Sequence, residues 1–288
     1  MIFANVANSR AAQRRVQLQN VPKQPLTVIL ALVLGTAALA RDQTAAMPPA
    51  ELMKQVVANE LGDREQHRKF LYKIDKRDGN QTLTEEQVDT SDGPLFRLVA
   101  IDGRPLTPEQ RLQDDARIER LLRDHSQLQK LKQAHDEDEQ KLEKLMRLMP
   151  DAFLFDYDGA EGNLLRLKFR PNPNYDPPTY EARVARGLAG TILIDPQQKR
   201  LAKFSGQLID NVQFGYGILG HVDKGGTMEL GRVEVAPGQW KTSLINIQLS
   251  GRMIFFKTIA KQQFEIRSDF HPVSADLNPA EANRLLGR

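Results

Sequence analysis

The chain has 288 residues, no cysteine, 40% hydrophobic residues, a formal net charge of +3 and a pI near 9.0. This length allows one large domain or two small ones. A content of 27% charged residues and a mean hydropathy of −0.48 exclude a multi-spanning membrane protein. A basic pI is typical of nucleic-acid-binding proteins, provided that the charge lies on the folded part of the chain.

Residues 1–40 have the pattern of a secretory signal peptide. The first 25 residues contain four basic residues and no acidic one, and an apolar run, 26–40, ends in Ala38-Leu39-Ala40. A basic start, a short apolar stretch and a small-x-small end predict export with cleavage after Ala40. An uncleaved N-terminal anchor is the alternative, although a membrane-spanning helix needs about 20 apolar residues. We expect an exported, periplasmic protein with no stable membrane span after cleavage.

Removal of the predicted signal peptide changes the sign of the formal net charge. It takes away four of the 40 Lys and Arg residues and none of the 37 Asp and Glu residues. The remaining chain has one more acidic than basic residue, so we expect no nucleic-acid partner. Without cysteine it has no disulfide, no thiolate and no lipidated N-terminal cysteine. Core packing alone must therefore stabilise the single domain predicted at 41–288.

The first part of this domain predicts a helix followed by strands. Apolar residues recur with helical spacing over 50–61, and they alternate with polar residues over 70–75. The sequence Asp-Gly-Asn at 78–80 is typical of a turn. Residues 95–101 form a second run with strand composition. These strands are expected to open an antiparallel sheet.

Residues 107–149 predict a charged helical insertion. Thr107 is a typical N-cap, and Gln110 stands where it can complete a capping box. A single helix of this length would extend about 65 Å, which exceeds the width expected of such a domain. We therefore expect a kink or a hairpin near 124–126, with Ser126 as a second cap.

The region after Pro150 predicts a large antiparallel sheet. Short strand candidates separated by turns favour a meander over alternating βαβ units. The loop 170–178 contains four prolines, and residues 279–286 are expected to form a C-terminal helix. The predicted fold class is therefore α+β. The strand candidates are 152–157, 163–169, 190–195, 200–209, 212–221, 226–235, 239–249, 252–259 and 262–269.

No motif in the sequence predicts a catalytic, cofactor-binding or metal-binding site. Gly215-Tyr-Gly-Ile-Leu-Gly220 matches G-x-G-x-x-G, but a turn and a strand follow instead of a helix. Residues 75–86 resemble a calcium loop, except that Arg77 occupies a ligand position. The five histidines are scattered, and no G-x-S-x-G elbow is present. We therefore predict no catalytic, cofactor-binding or metal-binding residue and no cofactor.

Phenylalanines concentrated in the strand region form the remaining candidate surface. Large side chains on the concave face of a curved sheet, partly covered by helices, would bury an acyl chain. Alternatively, the same side chains fill the core between sheet and helices. The candidate residues for lining an apolar ligand are Phe153, Phe155, Phe204, Phe214, Phe255 and Phe256.

Three stretches, 99–109, 190–203 and 215–240, carry a resemblance to a family. They are similar to a group of exported bacterial proteins, typical of acidobacteria, that are labelled outer-membrane lipoprotein-sorting-like. This group is related to the LolA- and LolB-like lipoprotein carriers of the periplasm. The resemblance implies a half-open antiparallel β-barrel with helices across its concave side as a lid. In the carriers the apolar interior accepts lipoprotein acyl chains without a cofactor. The helical insertion departs from that pattern.

We expect an exported, non-enzymatic protein of the cell envelope that binds a lipid or lipoprotein through its acyl chains. An envelope interaction or scaffold protein that docks a protein partner through the charged helices 108–149 is the alternative. A hydrolase with a convergent site is the third hypothesis, and it requires a cleft that pairs a serine with a histidine and an acid. A shared fold alone does not decide among these functions.

Overall fold

The computed structural model describes residues 47–65, 68–214, 220–253 and 259–287, so the predicted signal segment 1–40 lies outside the described residues. The described residues contain five helices and thirteen strands. The helices are α1 (Pro49–Glu65), α2 (Pro108–Arg123), α3 (His125–Ala152), α4 (Tyr180–Arg186) and α5 (Pro279–Leu286). The strands are β1 (Phe70–Asp78), β2 (Gln81–Thr90), β3 (Gly93–Ile101), β4 (Arg104–Pro105), β5 (Phe153–Glu161), β6 (Leu164–Pro171), β7 (Leu188–Asp195), β8 (Arg200–Leu208), β9 (Val212–Phe214), β10 (Gly220–Val222), β11 (Thr227–Ala236), β12 (Gln239–Met253) and β13 (Ile259–Pro272).

The strands form one open antiparallel sheet. Its order is β4-β3-β2-β1-β13-β12-β11-β8-β7-β6-β5, and β10 pairs with both β12 and β9 beside this path. Apart from the link between β1 and β13, most neighbours in the sheet are close in sequence, as in a meander. This arrangement confirms the α+β class with a large antiparallel sheet.

The strand predictions agree with the structure in most places and differ near 81–90, 212–221 and 252–259. Strand β2 was not predicted, and the predicted separate strand 252–259 is wrong, because β12 extends to Met253 and β13 begins at Ile259. The segment 212–221 contains two short strands, β9 and β10, which pair with Phe214 opposite Gly220. Residues 215–219, which hold most of the glycine motif, lie outside the described residues, and Gly220 begins a strand instead of a helix. The segment that resembled a calcium loop is the β1–β2 hairpin, where Gly79 has a φ of +58°.

The charged helical segment divides at Asp124. At its start, the Thr107 hydroxyl accepts from the Gln110 backbone N–H, and the Gln110 side chain accepts from the Thr107 backbone, which confirms the capping box. The second cap is Asp124, so the expectation of Ser126 is wrong. The Asp124 carboxylate accepts from the backbone N–H groups of Ser126 and Gln127, and the Ser126 hydroxyl itself donates to Asp124.

Helix α4 was not expected, because seven residues are too few to show a helical period. Its N-cap, Thr179, accepts from the Ala182 backbone N–H, and this was the one local signal in the sequence.

Helices cover both faces of the sheet. Leu71, Val88 and Leu95 stand opposite one another on β1, β2 and β3, and they pack against Ile118 of α2 and Leu286 of α5. Side chains of strand neighbours point to opposite faces. Therefore Phe70 and Tyr72 of β1 and Asp89 of β2 lie on the other face. Farther along the sheet, α1 packs against β5 to β8.

Two facing glycines act in different ways on neighbouring strands of the sheet. Gly190 of β7 stands opposite Phe169 of β6 and opposite Gly206 of β8. A Cβ on Gly190 would lie 1.9 Å from the Ser205 carbonyl oxygen, so Gly190 allows the β8 backbone to approach β7. A Cβ on Gly206 would lie 3.1 Å from the Phe204 ring and 3.3 Å from the Phe169 ring. The stacked rings of Phe169 and Phe204 therefore depend on Gly206.

A buried ion-pair cluster joins α1 to the sheet. Glu60 of α1, which is 1% exposed, accepts from Arg200 Nε at 3.0 Å and from the Leu201 backbone N–H at 2.9 Å. Arg232 of β11 also contacts the Glu60 carboxylate. Asp63, one turn farther along α1, lies 2.7 Å from Arg200 Nη2. We call Glu60, Asp63, Arg200 and Arg232 the ion cluster.

Glu60→Gln is expected to destabilise the fold by about 3–5 kcal/mol, because it leaves buried guanidinium groups without their main counter-charge. The matched control is Glu229→Gln, which removes the half-exposed ion pair with Lys203 at 2.7 Å and is expected to cost about 0–1 kcal/mol. Chemical denaturation measures both free energies of unfolding. Equal losses in the two variants would contradict a structural role for the ion cluster.

Candidate functional site

Four of the predicted lining residues lie together in one buried core. Phe153, Phe155, Phe204 and Phe214 pack in the same cluster as Phe169. The Phe169 ring centroid lies 4.9 Å from that of Phe153 and 5.0 Å from that of Phe204. We call these five residues the phenylalanine core. Phe255 and Phe256, the other two predicted residues, lie outside the described residues.

Helix α1 covers the phenylalanine core. Leu52, Met53 and Val56 belong to the same buried cluster, and each is at most 5% exposed. These side chains recur with the spacing of one helix face. In this structure the phenylalanines therefore contact one another and α1.

A groove of about 530 Å³ borders this core beside the first turn of α1. Phe153, Phe155, Pro49, Pro150 and Tyr175 are among its lining residues. The Tyr175 hydroxyl is buried and has no hydrogen-bond partner among the described residues. Much of the remaining lining is polar or charged and includes Asp151, Asp156, Arg170, Asn172 and Asn174, so the groove is not an apolar cavity.

A second cavity is lined mainly by polar and ionisable groups. It has a volume of about 260 Å³ and lies between α1, α3 and strands β1, β2, β3, β11, β12 and β13. We call it the polar pocket. Its ionisable side chains, apart from Tyr72, are those of Asp63, Arg68, Lys69, Asp89, His135, Glu139, Arg232, Lys241 and Arg267.

Asp89 and Tyr72 are neighbouring polar residues in the wall of the pocket. Asp89 Oδ2 accepts from the Phe70 backbone N–H at 3.2 Å, and the Tyr72 hydroxyl accepts from the Gln87 amide. Burial raises the pKa of Asp89, although the Lys241 cation opposes this effect. Burial also raises the pKa of Tyr72, and the neighbouring Asp89 charge adds to that shift. In both groups burial therefore acts against the charged form.

The cations of the pocket differ in how they are held. Arg267 Nη2 lies 2.8 Å from Glu265 Oε2, and this contact lowers the pKa of Glu265 although burial opposes it. The Lys241 ammonium donates to the Arg68 carbonyl at 3.0 Å and lies 4.7 Å from the Phe70 ring centroid. Burial lowers the pKa of Arg232 to about 10.

Helix α3 passes beside the polar pocket, into which it contributes His135 and Glu139. Near its start, Lys132 donates to the Ser91 carbonyl at 3.3 Å, and Met149 near its end packs against the core under α1. Every described side chain from 129 to 142, including that of Lys132, is exposed. The middle of α3 therefore has mostly exposed side chains, although two of them line the pocket.

The hydrolase hypothesis requires a serine hydrogen-bonded to a histidine. One group of a serine, an acid and a histidine lies close together in the structure, but its serine bonds to the acid instead. Ser250 Oγ donates to Asp223 Oδ2 at 2.9 Å, while His221 Nε2 lies 3.1 Å from Asp223 Oδ1. The acid thus stands between the two groups, whereas in a triad the histidine does. In the described ranges no group of three or more His, Asp or Glu residues is placed to hold a metal ion.

The polar pocket is not predictable from the sequence. Its residues come from distant segments, and Asp89 and Arg267 meet only because β1 pairs with both β2 and β13. The one available signal was the pair of titratable side chains on successive strands, Tyr72 and Asp89. An inward position cannot be assigned from that pattern without the register.

Comparison with protein-family models, curated proteins and solved structures gives no match for this chain. The likeness to lipoprotein carriers therefore stays a prediction. Among the helices that the structure describes, none is both long and apolar enough to cross a membrane.

Asp89→Asn is expected to change how stability depends on pH. Because the folded state raises the pKa of Asp89, the wild-type protein loses stability as the pH rises from the unfolded value, about 3.9, through the folded value. Asparagine does not ionise, so the variant should gain stability relative to wild type at pH 7 compared with pH 4. Urea denaturation at both pH values measures this difference, with Asp210→Asn on an exposed loop as the control. An equal difference at both pH values would contradict the burial of the charge.

Proposed function

We propose that this chain is an exported, non-enzymatic protein of the cell envelope that binds a lipid or lipoprotein in a half-open barrel. The observation that carries the proposal is the position of α1. Its Leu52, Met53 and Val56 cover the phenylalanine core, while Asp63 near its other end lines the polar pocket. An apolar and a polar surface thus adjoin under one helix, as an amphipathic ligand requires.

The apolar part of the ligand takes the place of α1 in this proposal. An acyl chain laid over Phe155 and Phe204 would replace the contacts of Leu52, Met53 and Val56, with about 0.8 kcal/mol gained for each buried CH₂ group. Helix α1 then acts as the lid, and the ion cluster sets the closed position. Helices α2 and α3 are the charged insertion between β4 and β5. The ligand is bound and released unchanged, so no catalytic residue is assigned.

A disulfide that locks α1 tests this proposal, and the absence of native cysteine makes the experiment clean. Asn59 of α1 donates to the Gln198 carbonyl in the β7–β8 turn at 3.1 Å, so Asn59→Cys with Gln198→Cys joins the lid to the sheet. After delipidation and re-exposure to envelope lipids, native mass spectrometry should find lipid on the reduced variant. The oxidised variant should retain none, because its lid cannot move.

The single variant Asn59→Cys, treated with the same oxidant, is the control and should retain lipid. Two results would contradict the proposal. One is the absence of retained lipid on both the wild-type protein and the reduced double variant. The other is equal retention by the oxidised and reduced forms of a fully cross-linked sample.

Docking of an envelope protein through the charged helices is the second candidate. It is favoured by the exposure of α3, where Leu131 is 42% and Leu142 is 40% exposed in a segment whose described side chains are all exposed. Positions eleven residues apart return to the same face of a helix. These two leucines therefore lie on one side of α3.

Leu131→Ser with Leu142→Ser is expected to abolish co-purification of an envelope partner, because it removes the apolar contacts of that face without opening the core. Val233→Ser on β11, which is equally exposed, is the control. Quantitative mass spectrometry after cross-linking in the envelope measures the loss. A partner that is retained by the double variant would exclude docking through this face.

A further inference from the structure

We infer that the polar pocket binds an anionic group, a phosphate or a carboxylate, and that this group is the polar end of the proposed amphipathic ligand. The inference rests on the proposed function for the source of the anion but not for the chemistry of the pocket. That chemistry follows from the charges that line the cavity, from one unsatisfied donor, and from the size of the cavity.

Cations outnumber anions around the polar pocket. Five Lys and Arg residues line it, against three Asp and Glu residues. Asp63 is already paired with Arg200 at 2.7 Å, and two of the cations are engaged in the same way, Arg232 by Glu60 and Arg267 by Glu265. The excess of positive charge therefore rests on Arg68, Lys69 and Lys241 among the lining residues. This excess favours an anion in the cavity.

Arg232 carries a donor that the protein leaves unsatisfied. Its terminal nitrogens contact Glu60 and donate to the Trp240 carbonyl at 2.7 Å. Its Nε is buried and has no hydrogen-bond partner among the described residues. Buried polar groups in proteins are nearly always bonded, and Arg232 lines the pocket, so a small shift of its side chain towards a bound ligand would give this N–H an acceptor. An anionic oxygen is the strongest such acceptor.

The rim and the volume limit the ligand further. Arg68 is exposed and Lys69 is half-buried at the mouth, where they meet an incoming anion first. A volume of about 260 Å³ is below the roughly 300–1,000 Å³ of cavities that enclose a drug-sized molecule. The cavity therefore holds a head group rather than an acyl chain. A cationic ligand would meet five like charges and acids that are already engaged.

Two probes distinguish the sources of the anion. Isothermal titration calorimetry measures binding of inorganic phosphate to the full protein. Flotation measures binding to phosphatidylcholine vesicles with and without phosphatidylglycerol, at about 0.15 M salt so that distant charges are screened. Phosphate binding shows that a free anion suffices, and binding to phosphatidylglycerol vesicles alone shows that the lipid head group is needed. Either result supports the inference if it depends on the pocket.

Dependence on the pocket is tested by Arg68→Ala with Lys69→Ala, which should lower the affinity for the bound probe about tenfold. The matched control is Lys54→Ala with Lys224→Ala, which removes the same charge from exposed positions that do not line the pocket and should change the affinity less than twofold. Arg232→Lys keeps the charge but removes the Nε donor, and it should also weaken binding. Arg232 belongs to the ion cluster, so a failure of Arg232→Lys to fold would have a structural cause. In that case the result for Arg68→Ala with Lys69→Ala, the rim variant, is the test.

Several outcomes would overturn the inference. They are no binding of either probe, equal binding to vesicles with and without phosphatidylglycerol, or equal affinity losses in the rim and control variants. Failure of the proposed function gives a different pattern. Rim-dependent phosphate binding without any retained lipid leaves the anion site and removes the lipid-binding proposal. Retained neutral lipid that phosphate does not displace leaves the proposal and removes the anion site.

Discussion

The ion cluster between α1 and the sheet is the interaction on which the rest of the molecule depends. Glu60 is almost fully buried and bonds to two arginines and one backbone amide, so its charge is compensated where water is excluded. Apolar packing alone would not fix the position of α1 along its own axis, because apolar contacts are non-directional. The carboxylates fix the helix along β8 and β11. The phenylalanine core and the polar pocket both follow from that position.

Local sequence signals predicted the elements well, because each signal acts within a few residues. Thr107 and Gln110 marked the start of α2, and regular turns separated the strands from Phe153 onward. The break between α2 and α3 was also expected, but the sequence did not distinguish Asp124 from Ser126 as its cap. Aspartate and serine are both residue types whose side chains accept from backbone N–H groups at helix starts. The residue that caps α3 is the one whose backbone is not helical, and in the structure this residue is Asp124, between α2 and α3. The sequence does not show which residue adopts that conformation.

The candidate site was less predictable, because it depends on contacts between distant segments. The phenylalanines at 153, 155, 204 and 214 lie in one buried core, but composition could not show that α1 covers them, and their role in lining a ligand stays a prediction. The polar pocket forms because β1 pairs with β13 in this register and because α3 passes beside the sheet. Alternation along one strand defines two faces but not which of them is enclosed. The sequence alone therefore did not assign Tyr72 and Asp89 to a cavity.

The pairing of β1 with β13 places the first and last of the described strands side by side within the sheet. Among the described strands, β2, β3 and β4 connect to the others only through this pair, so these two parts of the sheet cannot join until Ile259–Pro272 has been synthesised. Such long-range pairing slows folding, because a large loop must close before the contact forms. The N-terminal hairpins therefore keep an unpaired strand edge until the C-terminal strand has been synthesised. Deletion of the last strand would leave two incomplete sheets, each with an open edge that invites aggregation.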